Sequence, residues 1–88
     1  MENWYNFRGD LGSAPETEGV FLLADDRHNI VYVGRATNLG KELSEQPDPG
    51  NQCLRSKNIK YFAFEETPNS EAKEAQLISE HDPECNRT

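Results

Sequence analysis

Gly19-Val20-Phe21-Leu22-Leu23-Ala24-Asp25-Asp26-Arg27-His28-Asn29-Ile30-Val31-Tyr32-Val33-Gly34 holds two apolar, β-prone runs, at 20–24 and 30–33, around a polar stretch of five residues, 25–29. Runs of that length joined by a short polar loop form an antiparallel hairpin. Each run carries one aromatic, Phe21 and Tyr32. A symmetric closure of the turn sets the two opposite each other on one side of the ladder. The second run ends at Gly34-Arg35-Ala36, which reads as an exit from strand into loop.

Upstream, residues 1–15 contain Trp4, Tyr5 and Phe7 followed by Gly9, Gly12 and Pro15, with no helical or strand period. They read as an irregular lead-in whose aromatics pack on a domain spanning 16–88. Downstream, Thr37 or Asn38 can cap a short helix with Leu39 and Leu43 on one face. Gly40 weakens that helix by about 1 kcal/mol relative to alanine. Pro47-Asp48-Pro49-Gly50-Asn51 is a turn cluster, and 47–58 reads as loop, carrying Cys53, Arg55 and Lys57. A third strand follows from Ile59 to Glu65. Tyr61 and Ala63 point to one side and Phe62 and Phe64 to the other, as suits a central position or one covered by helices on one face. The last helix opens at Asn69 or Ser70 and ends near His81, before Pro83. Its apolar stripe is Leu77 and Ile78 with Ala75. Glu74, at i−3 and i−4 from that pair, projects from the stripe and needs a partner, a metal or a cleft. The fold class is therefore α+β: a small mixed or antiparallel sheet of about three strands flanked by helices.

At 88 residues, 34% of them hydrophobic, with a mean hydropathy of −0.90, the chain has room for one domain and a small core. Nine Lys and Arg stand against 16 Asp and Glu, a formal charge of −7. Such a field opposes loose binding to phosphate backbones, which needs summed positive charge, but leaves room for a local basic groove. No stretch approaches the roughly 18 apolar residues that span a bilayer, and the first residues lack the regions of a secretion signal. No membrane association is expected. Cys53 and Cys85 do not make a disulfide framework, so reduced thiols and a cytoplasmic location are the expectation.

The succession of hairpin, short helix, third strand, helix with one inward acid and Pro83-Glu84-Cys85-Asn86 resembles the GIY-YIG nuclease domain family. The resemblance covers about residues 16–87. It rests on Gly19-Val20-Phe21, on Tyr32-Val33-Gly34 with Arg35-Ala36-Thr37-Asn38-Leu39 behind it, on Glu74 in A-K-E-A-Q-L-I, and on Asn86. The twelve-residue step from Glu74 to Asn86 also matches that in the family's excision-repair endonuclease. The resemblance implies a small stand-alone endonuclease domain that hydrolyses nucleic-acid phosphodiesters with one divalent ion, Mg2+ or Mn2+. Glu74 would hold the ion. Tyr32 would act as the base or position the water, Asn86 would orient the acid and the chain end, and Arg35 would contact phosphate from a position where the family often has lysine. Lys41 and Arg55 are further candidates for substrate contact. The resemblance also implies a nucleic-acid partner and a separate DNA-binding or protein partner to supply affinity.

Two positions depart from the family's pattern. Phe21 keeps the ring of the first-triplet tyrosine without its hydroxyl. Glu42, ten residues beyond Tyr32, falls where the family's catalytic arginine is expected, and a carboxylate there repels phosphate. Lys41, Arg55 or Arg8 would have to substitute. These departures point to weak or impaired catalysis, or to a binding or protein-interaction module on the same fold. Plainer readings stand beside each residue: Tyr32 as strand packing, Glu74 as a salt-bridge partner of Arg35, Asn86 as a cap on backbone groups. His81, Cys85 and Cys53 as a zinc site compete with buried or idle cysteines.

Overall fold

The hairpin is present, but its two strands are offset from the symmetric register. A computed structural model of the chain, describing residues 3–46 and 50–86, places β2 at Gly19–Ala24 and β3 at Ile30–Ala36. Phe21 stands opposite Gly34, and Tyr32 opposite Leu23. The register shifts by one between Leu23 and Ala24, leaving Val31 as the extra residue of a β-bulge. Had the pairing of Ala24 with Ile30 continued unbroken, Tyr32 would lie opposite Leu22, on the face away from Phe21. The bulge returns it to the Phe21 face, and the two rings meet diagonally at a centroid distance of 6.1 Å. The strand also runs on through Arg35 and Ala36, which pair with Val20 and Gly19, so Gly34 is no exit from it.

Asp25 fixes the turn. Its carboxylate accepts from the backbone N–H groups of Arg27 and Asn29, both at 2.9 Å, and from the Asn29 side chain at 3.1 Å. Desolvation pushes the Asp25 carboxyl up, but these bonds outweigh it and hold the pKa below its ordinary value. His28 takes the left-handed φ of 63° that the turn requires and stacks on Tyr61 at 4.1 Å.

The sheet is wholly antiparallel, with a fourth strand beyond the three expected. Tyr5–Asn6, in the lead-in expected to be irregular, forms β1 and pairs with β4 (Tyr61–Glu66), giving the order β1-β4-β2-β3. A 3-10 turn at Leu11–Ser13 follows β1. β4 thus has the central position its two apolar faces called for. One face, with Phe7, Phe21, Leu23 and Phe62, is covered by Leu39 and Leu43 of α1 (Leu39–Ser44) and Leu54 of α2 (Gln52–Arg55). The other, with Val20, Leu22, Val33 and Ala63, is covered by Leu77 of α3 (Ser70–His81). Asn38 caps α1, accepting from the Lys41 N–H at 3.0 Å. The helix α2 lies where a loop was expected: Asn51 caps it by accepting from the Leu54 N–H at 3.1 Å. Four residues are too few to show a period. The remainder of the expected turn cluster, 47–49, lies outside the described residues.

Cys53 of α2 and Cys85 of the 3-10 turn Glu84–Asn86 are joined in a disulfide, with Cα atoms 5.3 Å apart. This overturns the reduced thiols expected from sequence, and with them the zinc alternative, since both sulfurs are used. The two cysteines are 32 residues apart in the chain, and only the packing of α2 on the terminal turn brings them together. The Asn51 side chain donates to the Cys85 carbonyl at the same junction.

Gly34 is glycine for steric reasons. A Cβ there would strike the Phe21 ring and come within 2.9 Å of Tyr32 Cε2. Gly19 is equally tight, since a Cβ would strike the Glu65 carbonyl oxygen and come within 2.7 Å of Leu39 Cδ1. Overpacking of this kind costs about 1–3 kcal/mol. Gly34→Ala is therefore expected to lower Tm by about 4–8 °C for each kcal/mol, and Phe21→Leu in the same chain should recover part of the loss. A Gly34→Ala protein that melts with the parent would show that the rings do not demand the glycine.

Candidate functional site

Strand β3 is an edge strand, and α3 packs along one of its faces. Arg35, two residues beyond Val33, projects toward that helix. Its Nε donates to Ser70 Oγ at 3.2 Å, and Ser70 Oγ donates in turn to Glu18 Oε2 at 2.5 Å. Ser70 is fully buried at the start of α3. Its hydroxyl does not cap the helix as one reading of the sequence expected; it holds the guanidinium instead. Asn69, the residue at the cap position, makes no side-chain cap bond. The sequence marked Ser70 only as a helix start and did not mark Glu18, and nothing local links the two across 52 residues.

Glu74 sits one turn further along α3, half-buried. Burial raises its carboxyl pKa; the Arg35 charge opposes that, and Glu71 on the preceding turn adds to it. Arg35, Glu18 and Glu71 line an open cleft of about 580 Å³ with Ala72 and Ala75. Ala75 is accordingly exposed and not part of the buried stripe, which reduces to Leu77 and half-buried Ile78.

The other predicted residues do not all converge on Arg35 and Glu74. Asn86 clamps the open edge of β3: its Oδ1 accepts from the Val33 N–H and its Nδ2 donates to the Val33 carbonyl, both at 2.8 Å. Its side-chain amide thus takes the place of a neighbouring strand. Tyr32 is half-buried on the opposite face of β3 from Arg35, packed with Phe21. Lys41 is exposed in α1 and Arg55 exposed in α2. Glu42 accepts from Gln46 Nε2 at 3.3 Å. The structure therefore sets Arg35 on the face that α3 covers, where its charge acts on Glu74, places Asn86 at the strand edge, and leaves Tyr32, Lys41 and Arg55 on the other face.

Among the described residues no three His, Cys, Asp or Glu side chains cluster as a metal cage. A lone desolvated carboxylate suits a hard cation that keeps most of its waters and takes one or two carboxylates beside a substrate phosphate. Mg2+ and Mn2+ fit Glu74 on that ground. No helix among the described residues is long and apolar enough to cross a membrane.

No protein-family model matches the sequence. The chain is similar to UvrABC system protein C of Rickettsia prowazekii, 35% identical over an 85-residue alignment that covers 90% of this chain. The same protein of Desulforapulum autotrophicum is 34% identical over an 82-residue alignment that covers 84% of this chain. The chain spans only about 14% of the length of either relative. Among solved structures, the GIY-YIG N-terminal endonuclease domain of UvrC from Thermotoga maritima, bound to its catalytic magnesium, superposes with a TM-score of 0.72 at 22% identity. That match covers 92% of this chain and 96% of the other.

Proposed function

On the premise that the chain is a GIY-YIG domain, by its fold and by its sequence likeness to UvrC, we propose that it hydrolyses nucleic-acid phosphodiesters with the help of one divalent cation, at a rate reduced by its own substitutions. The observation that carries this reading is the half-buried Glu74 carboxyl of α3 lying in the field of Arg35 on β3, whose guanidinium is held by the buried Ser70 hydroxyl. Arg35, held through Ser70 to Glu18, keeps a guanidinium aimed where a phosphate oxygen can accept from it. Glu74 is the residue to hold Mg2+ or Mn2+, which when bound polarises the scissile phosphate and stabilises the leaving oxygen. Tyr32 positions the attacking water from the other side of the edge strand, so the substrate runs along the β3 edge that Asn86 closes. A net charge of −7 leaves most of the affinity to a separate DNA-binding or protein partner.

Plasmid or branched DNA nicked in Mg2+ or Mn2+, with loss of nicking in Tyr32→Phe, is the expected result. No nicking at high protein concentration, together with no metal-induced NMR shifts around Glu74, overturns the reading. A second reading, a binding module that no longer hydrolyses, draws on Phe21, whose ring is buried without a hydroxyl, and on Glu42, whose carboxylate is engaged by Gln46. Glu42→Arg separates the two. It is expected to raise nicking or DNA affinity, since reversing a charge near phosphate changes rate by about 10²–10³ or more; unchanged behaviour means that Glu42 does not repel substrate.

A further inference from the structure

At the far end of the sheet from Arg35 and Glu74, a second cleft of about 360 Å³ opens between the segment after β1 and the segment before β4. Three of the chain's nine Lys and Arg residues line it: Arg8, Lys57 and Lys60. Asn6 and Asn58 add amide groups, and among the described residues no acid lines it, although the Asp10 carboxylate accepts from the Asn6 N–H at 3.0 Å and acids outnumber bases 16 to 9 in the chain. Two backbone bonds fix the walls: the Phe7 N–H donates to the Lys60 carbonyl at 2.8 Å, and the Lys60 N–H to the Ala24 carbonyl at 2.9 Å. The Arg8 guanidinium lies over the Phe7 ring, 5.6 Å from its centroid, which restrains it at the rim. Lys57 is paired with Glu84 at 2.9 Å, whereas Arg8 and Lys60 are exposed. Cations gathered in a concavity with low-dielectric walls focus an attractive field on anions despite the acidic surface around them.

We infer that this cleft binds a backbone phosphate of a nucleic-acid strand, as an anchor separate from the Arg35–Glu74 pair; the inference rests on the nucleic-acid reading above. Lys60 lies beside the end of β2, and Arg35 pairs with Val20 near its start. At about 3.3 Å per residue the two sites are therefore about 17 Å apart along the strand direction alone. A strand that engages both must extend several nucleotides past the phosphate at Arg35, and one too short to reach the cleft loses the anchor. The basic groove that the charge balance left room for is thus placed away from the reaction.

The test measures binding of a fluorescently labelled single-stranded oligonucleotide to the metal-free full chain by anisotropy, across a range of salt. Arg8→Gln with Lys60→Gln is expected to weaken binding by at least tenfold and to flatten the slope of log K against log salt by about 1.4, the loss of two phosphate contacts on a single strand. Both side chains are exposed, so circular dichroism should report an unchanged fold. Unchanged affinity and slope in the double variant overturn the inference. So does an NMR response of Arg8 and Lys60 to inorganic phosphate with none to the oligonucleotide, which marks a free-phosphate site. An oligonucleotide held at the cleft but never cut by the parent protein in Mg2+ or Mn2+ overturns only the hydrolytic reading.

Discussion

Glu74→Gln is expected to abolish metal-supported nicking, by about 10³-fold or more, while leaving the folded protein at least as stable at pH 7. The first effect follows from losing the carboxylate that fits the ion, since a bound metal is worth several kcal/mol of charge stabilisation in such a reaction. The second follows from the direction of the Glu74 shift. Burial raises its pKa above the ordinary glutamate value of 4.5, more than Arg35 lowers it. The folded protein then binds that proton more tightly than the unfolded chain, so the charged side chain subtracts from stability as pH climbs past 4.5. Glutamine carries no charge to desolvate, so its advantage is largest at neutral pH and fades toward pH 4. Thermal melts of both proteins from pH 4 to 8 check the stability effect, and nicking of supercoiled plasmid checks the catalytic one. A glutamine variant that melts lower at pH 7, or still nicks, contradicts this account. The parent's activity should also decline in mild acid, at a higher pH than an unperturbed glutamate would give.

Asn86→Ala is expected to cost about 2 kcal/mol of stability, from two hydrogen bonds worth about 1 kcal/mol each. For a domain of this size that lowers Tm by about 8–16 °C. Alanine leaves both polar groups of Val33 without their partner on the open edge of β3. Asn86→Asp gives a sharper comparison. An aspartate can still accept from the Val33 N–H, but it sets a carboxylate oxygen against the Val33 carbonyl, so it should recover little. If Asn86→Ala destroys nicking while Tm holds, the amide serves the reaction and not the strand edge. If both fall together, the strand edge comes first.

Much of this molecule was legible in the sequence where a pattern repeats over several residues. The hairpin follows from two apolar runs around a polar turn, the two faces of β4 from alternation, and the length of α3 from its opening residues and Pro83. The order of Tyr32, Arg35, Glu74 and Asn86 led to the fold through its resemblance, and the comparisons bear that out. What stayed hidden was non-local or too short. The Val31 bulge shifts the ladder by one residue, and an apolar run such as Ile30-Val31-Tyr32-Val33 has no alternation that would reveal it. The two residues of β1 and the four of α2 fall below the length at which a period exists. The Ser70–Glu18 bond and the Cys53–Cys85 bridge join positions 52 and 32 residues apart, and neither partner carries a local mark of the other. Arg35 and Glu74 of the candidate site were thus visible as charged residues, whereas the buried Ser70 hydroxyl that holds Arg35 was not visible as its partner.

The central place of β4 also sets the order in which the domain can form. β1 and β2 lie on either side of β4 and do not pair with each other, so residues 61–66 must arrive before the sheet closes. A nascent chain that has released only the hairpin holds an isolated two-stranded ribbon, which is marginal in water. Cooperative folding therefore waits until most of the domain has left the ribosome. The contacts that complete it span long stretches of chain, which slows the final step relative to a locally wired helical protein of the same length.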